Sequence, residues 1–177
     1  EIPRKMKKFR SQVISDWLAL KYEPCKVADV GGGKGLLSYL LNVKGWESTV
    51  IDPLDQPLPL KYKTLDKVRV KIPKEASVLR INEKFKPEYV QNFDLIIALH
   101  AHGCNMQIID ACAKYNKAFM LLPCCVIDEP IQRDYDINWR NSLVEYAQDK
   151  GLEIKKIKFN FKGKNLAIYN DVGLTKK

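Results

Sequence analysis

Several short runs of this chain hold groups that can do chemistry. Val27-Ala28-Asp29-Val30-Gly31-Gly32-Gly33-Lys34-Gly35 places an acid ahead of closely spaced glycines. Glycine is required where a backbone turns tightly and a ligand must come close. A helix beginning after Gly35 would aim free N–H groups and the positive end of its dipole at the same space. Asp52 closes a second apolar run. A carboxylate there can accept both hydroxyls of a ribose as charge-assisted hydrogen bonds. His100-Ala101-His102-Gly103-Cys104 and Pro123-Cys124-Cys125 carry both histidines and three of the five cysteines. Imidazole titrates near neutrality and suits a base, while histidine and cysteine together are also zinc ligands.

These residues need elements to position them. Phe9, Val13, Ile14, Trp17 and Leu18 recur at helical spacing, which predicts a helix over 9–21 that Pro24 stops. Lys26 to Val30 reads as a buried strand ending at the glycine loop, and 36–42 as a helix with Leu36, Leu37, Leu40 and Leu41 inward. Ser48 to Ile51 is a second strand. Pro53, Pro57 and Pro59 break any helix that might follow, so 53–75 is expected to be an exposed basic loop or excursion. Ala76 to Ile81 is a third strand and Phe93 to Leu99 a fourth. Helix 106–115, a fifth strand at 118–122 and helix 138–150 come next, Gly151 ending the last. Residues 153–161 and 165–170 flank Lys162-Gly163-Lys164 as a terminal hairpin. Strands alternating with helices imply an α/β fold with a mostly parallel sheet covered on both faces. Ligands of such sheets sit at the carboxyl ends of the strands, near the reversal of strand order.

Two classes of cofactor use a glycine loop of this kind. The dinucleotide pattern G-x-G-x-x-G fits poorly: counted from Gly31 its third glycine is Leu36, and counted from Gly33 it is Ser38. An acid followed by glycines at alternate positions fits without a gap, through Asp29, Gly31, Gly33 and Gly35. The stretch resembles the first motif of class I S-adenosylmethionine-dependent methyltransferases. That resemblance implies a Rossmann-like fold with a mostly parallel seven-stranded sheet and a C-terminal antiparallel hairpin, formed by residues 1–177 as one domain on which the basic N-terminal helix 1–23 packs. It implies S-adenosylmethionine as cofactor. Asp29, Gly31, Gly32, Gly33, Lys34 and Gly35 would wrap its amino-acid part, with Asp52 and Pro53 at the ribose. Asn82, in Arg80-Ile81-Asn82-Glu83, would meet the adenine, with Glu83 as the alternative. The fourth strand, Phe93 to His100, resembles the family's fourth motif and brings Leu99 beside the methyl group.

The His and Cys runs follow the fourth and fifth strands, which are expected to be neighbours, so the two segments should converge. His100 and His102 are candidate bases, and Cys124 a candidate catalytic thiol. A zinc site is the competing reading, but H-x-H-x-C with adjacent cysteines lacks the usual C-x₂-C spacing, so no metal is expected. The structural reading, buried cysteines and a capping histidine, holds for Cys25 and Cys112. Some tRNA ribose methyltransferases pair a His-x-Cys-Gly motif after the fourth strand with a Cys-Cys pair after the fifth. Here His100-Ala101-His102-Gly103 is similar, with His in place of Cys, and Cys124-Cys125 keeps the pair. Pro123-Cys124 also resembles the nucleophilic Pro-Cys of RNA cytosine C5-methyltransferases, where it follows the fourth strand instead. The Asn/Asp-Pro-Pro-aromatic motif of exocyclic-amine methylation is absent from the sequence.

Composition bounds the partners. The 177 residues suit one domain at roughly 100–200 residues each. With 46% apolar residues the chain is neither disordered nor collagen-like. It has no run of 18 apolar residues for a membrane span, and the charged first ten residues do not read as a secretory leader. Five cysteines without disulfide-framework density point to free thiols in a cytoplasmic setting. The net charge of +9 concentrates in Arg4 to Arg10, in Lys61, Lys63, Lys67, Arg69, Lys71 and Lys74, and in Lys155 to Lys164. Two such clusters on the cofactor face would make a phosphate-binding footprint, so RNA, tRNA or rRNA, is the expected acceptor. The alternatives are a small-molecule acceptor, or a catalytically silent cofactor-binding scaffold. A homodimer or a partner subunit is compatible with each.

Overall fold

The computed structural model describes residues 9–101, 103–123, 129 and 139–177. Helix α1 (Arg10–Lys21) leads into β1 (Lys26–Val30), the glycine loop and α2 (Leu36–Val43). Then come β2 (Glu47–Ile51), two short strands β3 (Lys61–Lys63) and β4 (Arg69–Lys71), β5 (Leu79–Ile81), and a 3₁₀ turn over Pro87–Asn92. The chain continues through β6 (Leu95–Ala98), α3 (Asn105–Tyr115), β7 (Ala118–Leu121), α4 (Trp139–Asp149), β8 (Lys155–Lys158) and β9 (Leu166–Asn170). The expected fourth and fifth strands are therefore β6 and β7.

Seven strands form one sheet in the order β5-β2-β1-β6-β7-β9-β8. Neighbours from β5 through to β7 run parallel, and β9 is antiparallel to both β7 and β8. This is the expected α/β sheet with its terminal antiparallel hairpin. The apolar runs of β6 and β7 are buried at every position, because helices cover both faces. On one face Ile14 and Leu18 of α1 and Leu37 and Leu41 of α2 pack on Val27, Leu95 and Ile97. On the other, Ile108 and Cys112 of α3 and Leu143 of α4 pack on Ala28, Ile96 and Phe119. The chain proceeds outward from β1 to β2 and β5, then returns to β6 on the other side of β1. The reversal opens a crevice at the carboxyl ends of β1 and β6.

Two expectations need correction, and one element is additional. Residues 53–75 are not merely a loop: β3 and β4 pair antiparallel as a separate ribbon, with Tyr62 opposite Val70. Its turn is closed by Thr64 Oγ1, which accepts the Val68 N–H at 3.1 Å, and by Lys67 at a φ of 66°. Three residues per strand carry too little alternation to read from sequence. The third strand is shorter than 76–81, beginning at Leu79, because Ala76 N–H turns back onto the Pro73 carbonyl. The additional element is the 3₁₀ turn; Pro87 opens it, its fixed φ suiting a first helical position, and it buries Val90 completely.

Within the segment 9–23, Ile14, Leu18 and Tyr22 pack on the sheet. Trp17 meets Phe159 and Tyr169 edge-on, and the Tyr22 hydroxyl donates to Asp171 at 2.7 Å. The last residues return beside it, Lys177 N–H donating to the Lys21 carbonyl at 3.0 Å.

Candidate active site

The glycine loop lies at the carboxyl end of β1, within the crevice. Gly31, Gly33 and Gly35 all have positive φ, at 67°, 58° and 90°, which side-chain-bearing residues rarely adopt. Gly35 caps α2, and a side chain there would also press on Val78 at 3.0 Å and Val50 at 3.3 Å. Gly31 passes so close to the segment after β6 that a Cβ would stand 3.3 Å from that of Ala101. Gly32 is constrained from below: a Cβ would lie 2.6 Å from Asp29 Oδ2. The loop is therefore a bare backbone cradle ending at the unsatisfied N–H groups of a helix's first turn.

Asp29 is buried beneath that cradle, where Ser38 Oγ donates to its Oδ2 at 2.9 Å and bonds in turn with Ser48 Oγ at 2.8 Å. Burial pushes the Asp29 carboxyl up to about 6, against the opposing pull of the Ser38 hydrogen bond and of Arg10 and Arg80. Asp52 is half-buried at the tip of β2. Its Oδ2 accepts the Gly33 N–H at 3.0 Å and its Oδ1 the Leu54 N–H at 2.9 Å, so both oxygens are fixed in place.

Two cavities meet over Gly31. The larger, of about 580 Å³, lies between Ile51 and Pro53 on one side, Phe85 behind, and Gly103 and Gln107 on the other. The smaller, of about 100 Å³, is lined by Arg10, Asp29, Lys34 and Leu99. Asp29, Gly31, Gly32, Lys34, Gly35, Pro53 and Leu99 thus all border one cleft. Asp52 and Gly33 join at its edge through their hydrogen bond. Asn82 sits apart: it is exposed, and its side-chain oxygen accepts from Arg80 Nε at 3.3 Å. Lys84 and Phe85, a few residues on, line the cavity instead. Glu83 is exposed too and takes the Tyr89 hydroxyl.

His100 is exposed just beyond β6, its carbonyl oxygen 3.5 Å from where a Cβ on Gly31 would stand. It is thus carried to the glycine loop. His102, Cys124 and Cys125 lie outside the described residues. The chain leading to Cys124 does run beside the end of β6, since Leu122 N–H donates to the Ala98 carbonyl at 2.9 Å and Pro123 is buried. Further along, the Glu129 carboxylate caps α3, accepting the Asn105 N–H at 2.7 Å and the Met106 N–H at 3.2 Å. Through Glu129 the segment after β7 thus reaches the start of α3. Burial raises the Cys104 thiol above its ordinary value, and the nearby Glu129 adds to the effect. Among the described residues no three His, Cys, Asp or Glu side chains gather as metal ligands would.

Phe85, Gln107 and Glu129 escaped the sequence reading, and Arg10 entered it only as part of a basic cluster. The resemblance holds no motif for them. Glu129 in particular acts across 24 positions of chain, which no local pattern records.

No family model matches the chain. A probable tRNA (uracil-O(2)-)-methyltransferase of Caenorhabditis elegans is 30% identical over 109 residues, 58% of this chain and 18% of that protein. The chain thus spans less than a fifth of the curated relative it matches. An O-methyltransferase family protein from Burkholderia thailandensis superposes at a TM-score of 0.53 and 13% identity, covering 91% of this chain and 54% of that one. Precorrin-6y C5,15-methyltransferase from Geobacter metallireducens GS-15 superposes at 0.51 and 12%, covering 94% and 91%. The chain has the fold of the class I S-adenosylmethionine-dependent methyltransferases. In this methyltransferase fold the bare glycine cradle, the acid at the tip of β2 and the cleft between β1 and β6 fall together. The residues present fit the nucleoside cofactor: a cavity with an apolar wall at Phe85, a fixed carboxylate for hydroxyls, and a loop where three added side chains would meet neighbouring atoms.

Proposed function

We propose that this chain is the catalytic domain of an S-adenosylmethionine-dependent methyltransferase whose acceptor is RNA. The observation that carries the reading is the Asp52 carboxylate, anchored to Gly33 of the cradle at the mouth of the larger cavity. Asp52 and Pro53 would hold the ribose, Phe85 the adenine, and Asp29, Gly31, Gly32, Gly33, Lys34 and Gly35 the amino-acid end. Leu99 and Arg10 border that end. The cofactor when bound supplies an electrophilic methyl group on a sulfonium.

The chain's own part is to orient the acceptor and to take its proton. His100, brought to Gly31 by the end of β6, is the candidate base for a hydroxyl. His102 and Cys124 are the further candidate catalytic groups. RNA is favoured over a small molecule by the named tRNA acceptor of the Caenorhabditis elegans relative and by the +9 charge.

Methyl-labelled S-adenosylmethionine offered with total RNA, protein and metabolite fractions tests the reading. Label that enters RNA and is released by ribonuclease supports it. Label in protein or metabolites overturns the RNA acceptor. No transfer, together with no calorimetric binding of S-adenosylhomocysteine, overturns the methyltransferase itself.

A further inference from the structure

A third cavity lies next to the cofactor cleft and belongs to none of the residues assigned above. It has a volume of about 350 Å³ and is enclosed by Phe9, Gln12 of α1, Leu36 at the start of α2, and Tyr62, Lys63 and Arg69 of the β3–β4 ribbon. Leu36 also lines the small cavity beside the glycine loop, so the two spaces share a wall.

Its chemistry is specific. Gln12 is buried to 94%; its Nε2 donates to the Lys63 carbonyl at 2.6 Å, and its Oε1 has no hydrogen-bond partner among the described residues. A buried amide oxygen left this way carries a desolvation cost that a donor in the cavity would remove. Tyr62 offers a half-buried ring, held edge-on against Tyr39 at 6.3 Å. The ribbon bears Lys61, Lys63, Lys67, Arg69 and Lys71, and no described carboxylate lies within ion-pair distance of any of them. In the hairpin cluster Lys155 is tied to Asp171 at 3.1 Å, while Lys156, Lys158, Lys162 and Lys164 have no ion pair among the described residues. What sets the ribbon apart is that its cations surround an aromatic-walled cavity which Gln12, with its open hydrogen-bond acceptor, also lines. Single-stranded nucleic acid is held by this combination: cations on the backbone, a ring under a base.

We propose that this cavity binds one nucleobase of the RNA acceptor strand, distinct from the nucleotide that is methylated. The base stacks on Tyr62 and donates an imino or amino hydrogen to Gln12 Oε1. Lys61, Lys63 and Arg69 take the flanking phosphates. The ribbon thereby sets which part of the strand reaches the crevice by His100. The proposal rests on the RNA reading above and adds to it a place on the protein.

Binding of a fluorescein-labelled 12-mer oligouridylate to the full chain, measured across a salt series, tests it. The charge variant is Lys61→Gln/Lys63→Gln/Arg69→Gln, and the stacking variant is Tyr62→Leu. Calorimetry with S-adenosylhomocysteine serves as the folding control. Single strands lose about 0.7 in log–log salt slope per phosphate contact, so the charge variant should lower the slope by about 2. Tyr62→Leu should weaken binding by about 5- to 150-fold at unchanged slope. Uridine monophosphate should compete only at far higher concentration than the 12-mer, because it lacks the flanking phosphates. A second readout needs no variant: a 4-thiouridine 12-mer irradiated on the wild-type chain should cross-link to the peptide containing Tyr62.

Variants that bind the cofactor analogue and also bind the 12-mer like the wild type overturn the cavity while leaving the RNA reading intact. So does cross-linking confined to other peptides. A wild-type chain that binds no RNA, and methylates a protein or a metabolite, overturns both.

Discussion

The Asp52 carboxylate accepts the Gly33 N–H at 3.0 Å, joining the tip of β2 to the middle of the glycine cradle. Gly33 has no atom within 4 Å of where a Cβ would stand, so the bond closes no packed space. It fixes the direction of a charged group. Asp52→Ala should weaken S-adenosylhomocysteine binding by about 10- to 150-fold, as expected for about 1.5–3 kcal/mol of hydrogen bonding to a charged acceptor. Global stability should change little. Calorimetry beside thermal melting checks both; unchanged affinity would remove Asp52 from the cofactor site.

Gly32 carries the opposite constraint. An added methyl would stand 2.6 Å from Asp29 Oδ2, inside contact distance and against a buried carboxylate. Gly32→Ala should destabilise the fold by about 1–3 kcal/mol through overpacking. Differential scanning calorimetry should show a melting point lower by several degrees. Gly33→Ala meets no atom and should act through its positive φ alone.

Asp29 makes stability depend on pH in a defined direction. Its folded value, near 6, lies above the unfolded carboxylate value near 3.9, so between them the folded state binds more protons. Its contribution is complete below about pH 4 and is lost as pH rises through 6. Asp29→Asn cannot ionise, and should gain stability relative to wild type across that window, then hold the difference above it. Urea melts of both proteins at pH 4, 5, 6 and 7 measure this. A constant difference would mean that the carboxyl titrates normally.

His100→Ala should lower the methyl-transfer rate by about 10²- to 10⁴-fold if the imidazole is the base, with cofactor affinity held within twofold. Equal loss of rate and affinity would assign His100 a structural part, through the contact of its segment with Gly31.

Glu129 should matter to the same region without touching the acceptor. It caps α3 with two backbone hydrogen bonds, and α3 begins where the His100–Cys104 segment ends. Glu129→Ala should cost about 0.5–2 kcal/mol of stability, and Glu129→Gln should restore part of it. Hydrogen exchange at Asn105 and Met106 would localise the loss.

Much of the scaffold was legible because it rests on local signals. The apolar runs at 26–30, 95–98 and 118–121, the glycines after Val30 and the Gly151 stop each determine their own element. Aligning Asp29, Gly31, Gly33 and Gly35 was enough to place a cradle. The β3–β4 ribbon was not legible, because pairing of three-residue strands depends on Thr64 and Lys67 closing the turn. Asn82 illustrates a different limit. It follows the third strand as the resemblance requires, yet its side chain turns to Arg80 while Phe85 fills the cavity wall. Position along the chain does not say which way a residue after a strand faces.

The sequence by itself determined the element types, the parallel sheet and the bare loop, since these follow from periodicity and from backbone freedom at each position. Tertiary structure alone decided that Asp29 is buried and Asp52 is aimed, that Glu129 reaches α3, and that the basic ribbon leans on α1 and α2 beside the cleft. Those outcomes depend on residues far apart in the chain sharing one volume, where desolvation and hydrogen-bond geometry, not local propensity, set the energy.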